Sequence, residues 1–255
     1  MSRLFWWRKR QTLPAIEPVA SEFPKIVGAQ IAAATYGGRV AGDFYDSVRV
    51  GTERILLGFL DVAGRREDNK HLLSTAQKIF RSAGAELFSP SDINEADAMT
   101  ALCLRLNRGL MEAAGGVHPC PAFVGCYHER FGTLCYCNVG HTPGLLRDKM
   151  DISELVSTGL PLGLFSHATA DAPTVAIPNG AVLLLVSKGV VEAEGKEEKT
   201  EELQFGLERV KKSLWNETSL SAQAVSENIL KAVTDFSRGP VAPQDMTALC
   251  FVRTT

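Results

Sequence analysis

Ile55-Leu56-Leu57-Gly58-Phe59-Leu60-Asp61-Val62-Ala63-Gly64 is an apolar run broken by one glycine and closed by an aspartate. Its length and branched side chains read as a buried strand that delivers Asp61 to its C-terminal end. Working outward, Gly42-Asp43-Phe44-Tyr45-Asp46 lies between two alternating apolar runs, 26–36 and 44–50. Near the end of the chain, Gln244-Asp245-Met246-Thr247-Ala248-Leu249-Cys250-Phe251-Val252 has a polar start leading into a last strand. Acidic residues gathered at strand ends from distant parts of a chain are how a sheet-based fold supplies oxygen ligands. Hard divalent cations such as Mg²⁺ and Mn²⁺ take such oxygens and retain several waters.

One segment departs from that pattern. Leu183-Leu184-Leu185-Val186-Ser187-Lys188-Gly189-Val190-Val191-Glu192-Ala193 is again an apolar strand running into a turn, but an ammonium stands where a carboxylate is expected. A protonated lysine cannot ligate a divalent ion, and its charge opposes one nearby.

Taken in order, several stretches resemble the metal-dependent PPM protein phosphatases, in their bacterial sporulation-phosphatase (SpoIIE-like) branch. They are Gln11-Thr12-Leu13-Pro14, Gly42-Asp43-Phe44-Tyr45-Asp46, Asp61-Val62-Ala63-Gly64 and Asn138-Val139-Gly140-His141-Thr142-Pro143. Gly159-Leu160-Pro161-Leu162-Gly163, Ser187 to Ala193, Phe205-Gly206 and Gln244-Asp245-Met246-Thr247 complete the set. The resemblance implies an α+β fold: a four-layer αββα sandwich, two antiparallel sheets flanked by helices. It also implies a binuclear Mn²⁺ or Mg²⁺ centre that activates a water against phosphoserine or phosphothreonine. Asp43 and Asp61 match acidic positions of the family, with the Val62 backbone carbonyl as a further candidate ligand. The family's Thr-Asp-Gly reads Ser187-Lys188-Gly189, and its Asp-Asp-x-Thr reads Gln244-Asp245-Met246-Thr247, so Lys188 and Gln244 are degenerate ligand positions.

Charge makes this departure consequential. Four carboxylates contribute roughly −4 to such a site, whereas two carboxylates and a lysine contribute roughly −1. Mn²⁺ or Mg²⁺ binding is therefore expected to be weakened or absent, with Lys188 replacing a cation in an internal ion pair with Asp43 or Asp61. Asp245 is a further candidate ligand, although adjacent strand residues face opposite ways and its use needs a bulge or a shifted start. After Gly64, Arg65-Arg66-Glu67-Asp68 replaces the small residues common in relatives. Arg65 and Arg66 are candidate phosphate contacts, weighed against a solvated helix start, which is favoured. His141 is a third candidate contact, weighed against a loop-shaping role, also favoured.

Composition fits one globular domain. The 255 residues are enough for a substantial core, and a net charge of −2 gives no broad basic surface for nucleic acid. No apolar run approaches the roughly 20 residues of a membrane span. The opening Met1-Ser2-Arg3-Leu4-Phe5-Trp6-Trp7-Arg8-Lys9-Arg10 lacks the order of a signal peptide, so a cytoplasmic location is expected. This aromatic-basic segment reads as a locally packing tail in preference to a membrane contact. We expect residues 1–25 to be a tail or linker and 26–255 a single phosphatase-like domain. Six cysteines lack metal-site spacing and read as small core residues.

Strands are expected over 26–36, 43–50, 54–62, 121–129, 132–139, 143–147, 173–178, 181–187 and 246–253. Apolar spacing predicts helices over 70–85, 94–114 and 221–236, with Ser91-Asp92 capping the second. The charged run 194–202 reads as a surface loop.

Three functions compete. The favoured one is an impaired or inactive phosphatase (a pseudophosphatase) that acts by binding a phosphorylated regulatory protein or signalling partner. The second is a working phosphatase with a rearranged or single-metal site built from Asp43, Asp61, Asp245 and the Val62 carbonyl. The third is a pure interaction module. Oligomeric state is left open by the sequence.

Overall fold

The computed structural model describes residues 22–36, 42–62, 66–167, 169–195, 204–237 and 245–255. Among them are ten strands: β1 (Ala29–Tyr36), β2 (Gly42–Val50), β3 (Arg54–Val62), β4 (Ala122–His128), β5 (Thr133–Val139), β6 (Gly144–Arg147), β7 (Ile152–Leu155), β8 (Thr174–Ala176), β9 (Val182–Val186) and β10 (Met246–Arg253). The helices are α1 (Arg66–Phe88), α2 (Glu95–Ala114), the single turn α3 (Lys188–Val191), α4 (Gly206–Asn216) and α5 (Ala222–Ser237). The strands form two antiparallel five-stranded sheets, ordered β1-β10-β9-β6-β7 and β2-β3-β4-β5-β8.

The period-two geometry of the strands sorts their side chains into three apolar layers. Between the sheets, Ile55, Leu57 and Phe59 of β3 pack with Leu183, Leu185, Leu249 and Phe251. The opposite face of β3 sends Leu56 and Leu60 against Leu73 and Phe80 of α1 and Leu102 and Leu106 of α2. On the far side, Leu184, Val186, Ala248 and Cys250 meet Val210 and Leu214 of α4 and Val225, Ile229 and Val233 of α5. This is the expected αββα sandwich. It explains why β3 and β9 read as continuous apolar runs: each has a packed layer on both faces, so neither needs a polar side. Truncating Leu57, fully buried between the sheets, to alanine would cost about 2–5 kcal/mol.

The expected helices form with shifted ends. Asn94, not Ser91-Asp92, caps α2: its side chain accepts the N–H groups of Ala96 and Asp97. A cap must sit directly before the first helical residue to reach those donors, and Ser91 and Asp92 lie too early. Leu102, Leu106 and Leu110 are buried as their spacing predicted. Three elements were not anticipated: β7, α3 and α4. All six cysteines are free and buried. Residues 196–203, the core of the charged run, lie outside the described residues, as does the aromatic-basic segment at the start.

Candidate metal centre

The two retained aspartates meet because of strand register. In the β2–β3 pair Asp43 stands directly opposite Asp61, and directly opposed like charges repel. Asp43 is largely enclosed. Burial first, and the Asp61 charge second, push its carboxyl from an ordinary 3.8 up to about 7. The hydroxyls of Thr247 and Ser187 partly offset this by favouring the charged form, while the Asp245 charge adds to the rise. Among the described residues, Asp43 Oδ2 is buried without a hydrogen-bond partner.

The facing half of the site comes from the other sheet, where β9 ends and β10 begins. Ser187 donates its N–H to the Thr247 carbonyl at 2.9 Å, and its Oγ accepts the Thr247 N–H at 3.0 Å. These bonds hold the ends of β9 and β10 together beside Asp43. With its hydroxyl so used, Ser187 makes no side-chain cap to α3. The cap comes from across the site: the Lys188 N–H donates to Asp61 Oδ2 at 2.9 Å. A helix start leaves its first N–H groups unpaired, and a carboxylate is a favourable acceptor there.

The Lys188 side chain goes elsewhere. Its ammonium pairs with Glu192 Oε1 at 3.1 Å, and the side chain is 63 % exposed. The expected internal ion pair with Asp43 or Asp61 is therefore corrected: Lys188 touches the pair through its backbone, and its charge is carried at the rim. Residues i and i+4 share a helix face, and α3 brings Glu192 to the lysine. That spacing was present in the sequence.

His141 sits beside this cluster, buried, with its ring 4.7 Å from that of Phe59. Asn138 shapes its loop: the Asn138 side chain accepts the His141 N–H at 2.9 Å and donates to the Leu155 carbonyl at 3.0 Å. Gly140, at φ +79°, takes a backbone conformation that favours glycine, with Pro161 closing over it. The histidine tautomer follows from its partners. Nδ1 lies 3.0 Å from the Thr142 carbonyl and 3.1 Å from Thr142 Oγ1, whose own proton goes to the Val186 carbonyl. Both partners accept, so Nδ1 carries the hydrogen. Burial lowers the ring's pKa, which favours the neutral form. Nε2 then presents a buried lone pair, unpartnered among the described residues. A phosphate oxygen, also an acceptor, gains nothing from it in this state.

Of the other candidates, Val62 is buried one residue beyond Asp61, and Asp245 directly precedes β10, where its carbonyl accepts Ser187 Oγ at 3.4 Å. Gln244 and Arg65 lie outside the described residues, as does the side chain of Arg66, which opens α1. Sequence reasoning passed over Ser187, Thr247 and Glu192, although all three lie within the stretches it quoted.

Could these groups hold a cation? Asp43 Oδ2 is a buried, unpartnered carboxyl oxygen, and Asp61 lies opposite it. Such a pair suits one hard cation that keeps most of its waters. Among the described residues, no group of three or more histidine, cysteine or acidic side chains is arranged to hold a metal ion. The groups that fit a cation among the described residues are these two carboxylates.

A sequence model of the family described as Stage II sporulation protein E (SpoIIE) matches residues 51–254. No curated protein matches the chain. Among solved structures, the PP2C phosphatase domain with a regulatory fragment of the Bacillus subtilis cell fate determinant SpoIIE is similar, with a TM-score of 0.70 at 15% identity. That match covers 90% of this chain and 64% of the other. The RsbU and RsbW domains of a Mycobacterium tuberculosis protein match with a TM-score of 0.69 at 18% identity, over 89% of this chain and 62% of theirs. The SiaA PP2C domain of Pseudomonas aeruginosa matches with a TM-score of 0.71 at 17% identity, over 87% and 85%. The chain thus spans less than two thirds of the first two structures. At these identities the structural matches establish the fold alone, and together with the matched residues they lead to one conclusion: the chain belongs to the SpoIIE family of PPM-type phosphatase domains.

Proposed function

We propose that this is a protein serine/threonine phosphatase domain whose metal centre is reduced from two cations to one weakly held Mn²⁺ or Mg²⁺. Asp43 and Asp61 hold the ion, with the Val62 carbonyl and Asp245 as further oxygens. Hydrolysis is impaired, and the domain acts mainly by binding a phosphorylated regulatory protein in the cytoplasm. Six buried free thiols suit that reducing compartment. The observation that carries this reading is the pairing of two retained carboxylates with Lys188 at a third ligand position. A binuclear mechanism needs two cations about 4 Å apart to clamp the attacking and leaving oxygens, and ligand count and charge both oppose the second. Arg65 and Arg66 complete the reading as contacts for the bound phosphoprotein, while the buried His141 shapes the wall of the site.

The test is a Mn²⁺ titration of the purified protein, with hydrolysis of an aryl phosphate and a phosphoserine peptide followed in the same buffer. The reading expects one weak site and turnover well below that of two-cation relatives. Two tight sites with rapid turnover would overturn it.

A second reading has one specific observation in its favour. Because the Lys188 ammonium turns outward to Glu192, it does not neutralise the Asp43–Asp61 pair. A single-cation phosphatase with useful activity would show hydrolysis that saturates with one Mn²⁺ per chain.

A further inference from the structure

We propose that Glu192 is a positioning residue that holds the Lys188 ammonium off the carboxylate pair and so keeps Asp43 and Asp61 open to a cation. This rests on the reading that the pair binds one. Three observations carry it. First, the ammonium is within reach of the pair. The Lys188 N–H is 2.9 Å from Asp61 Oδ2. One N–Cα bond of about 1.46 Å further on stands the Lys188 Cα, so the oxygen lies well inside the sweep of a four-carbon side chain. Second, the pair is the denser concentration of negative charge: Asp61 faces Asp43, and Asp43 Oδ2 is buried without a partner. Third, the ammonium is found at Glu192 instead, 3.1 Å away and largely in water.

The physical balance is close. Folding inward would give the ammonium two carboxylates but strip its water, and desolvation opposes that move. Staying outward keeps the water and adds one exposed ion pair, an interaction of small worth. The one-turn geometry of α3 makes the outward choice available. The Glu192 N–H closes the turn onto the Lys188 carbonyl at 2.9 Å, which fixes the two side chains on one face. Remove the Glu192 charge, and the remaining attraction is toward Asp61 and Asp43, where the ammonium becomes a tethered competitor of the metal. A lysine at a ligand position is in this way made compatible with a residual cation site.

The experiment is a Mn²⁺ titration of the full chain and of Glu192→Gln, Lys188→Met and the double variant. Glu192→Gln is expected to weaken binding by up to about 5-fold, the upper end for one lost exposed pair. Lys188→Met is expected to tighten binding, and Glu192→Gln added to Lys188→Met to change nothing further. Equal weakening by Glu192→Gln with and without Lys188 would overturn the proposal, because Glu192 would then act on the metal itself. If none of the four proteins binds Mn²⁺, the cation reading fails, and a crystal structure of Glu192→Gln decides the positioning role separately. An ammonium within about 4 Å of Asp61 or Asp43 supports that role, and one left in solvent contradicts it.

Discussion

The two halves of the candidate site supply different things. The half built on β2 and β3 keeps its acids, Asp43 opposite Asp61. The half built on β9 and β10 supplies a framework, the reciprocal Ser187–Thr247 hydrogen bonds, and the backbone N–H of Lys188, whose ammonium pairs with Glu192 instead of facing the acids. Framework and chemistry are thus separable. Backbone and hydroxyl hydrogen bonds hold the shape, so an acid can be exchanged without the strand ends falling apart. The halves also differ in how they are anchored. The acidic strand β2 is tied to α1 by Asp46, fully buried, which accepts from Arg81 Nε at 2.7 Å and Nη2 at 3.0 Å. Such a bidentate pair fixes orientation as well as distance.

That contrast can be broken by mutation. Arg81→Ala should have the largest effect, because it leaves the Asp46 carboxylate buried and unpaired. Loss of one partner of a buried pair costs about 3–5 kcal/mol, and the partial exposure of Arg81 sets the expectation near the lower end. Chemical denaturation of Arg81→Ala and of Arg81→Ala/Asp46→Asn checks it: the second change should recover part of the loss, and a loss below about 1 kcal/mol in the single variant would show that the anchor is minor. Ser187→Ala should come next. It strips the Thr247 N–H of its acceptor inside the protein, at about 1–3 kcal/mol. Ser187→Thr, which restores a hydroxyl, should cost less in the same assay.

Asp43→Asn should act in the opposite direction and depend on pH. The folded state raises this carboxyl from 3.8 to about 7 through burial and the Asp61 charge. Between those values the folded protein holds the proton and the unfolded chain does not, so stability falls as pH rises through this window. Above about 7 the full cost of the buried charge is present. Thermal unfolding in chelator should therefore show Asp43→Asn raising Tm by at least about 3 °C at pH 8, roughly 1 kcal/mol for a chain of this size, with a smaller change at pH 5. A lower Tm at pH 8 would mean that Asp43 is stabilised by contacts the site's geometry does not reveal. A functional group that costs stability is expected where a cation completes the charge balance.

The layered fold was legible because β3 and β9 are apolar on both faces, and the α2 and α5 stripes repeat at helical spacing. The elements that escaped are those whose sequence signal is weak. Helix α4 buries only Val210 and Leu214 and carries Glu208, Arg209, Lys211 and Lys212 around them. Strand β7 is four residues long at a sheet edge, with a mostly solvent-accessible pattern. The acidic pair itself was readable from strand ends. The direction of Lys188 was not, because it depends on whether the residues after β9 form a helical turn, and only that turn brings Glu192 to the ammonium. The pattern Lys188-Gly189-Val190-Val191-Glu192 allowed it without requiring it.

On the proposed reading, lysine at 188 and glutamine at 244 reduce this centre to one weakly held cation. The most direct test is the Mn²⁺ stoichiometry of the wild-type chain beside Lys188→Asp/Gln244→Asp, measured calorimetrically with aryl phosphate hydrolysis in parallel. We predict one weakly bound ion in the wild type and two in the double variant, with turnover rising together with the second. Two tightly bound ions in the wild type, or no gain in either quantity in the double variant, would show that these two positions do not limit the centre.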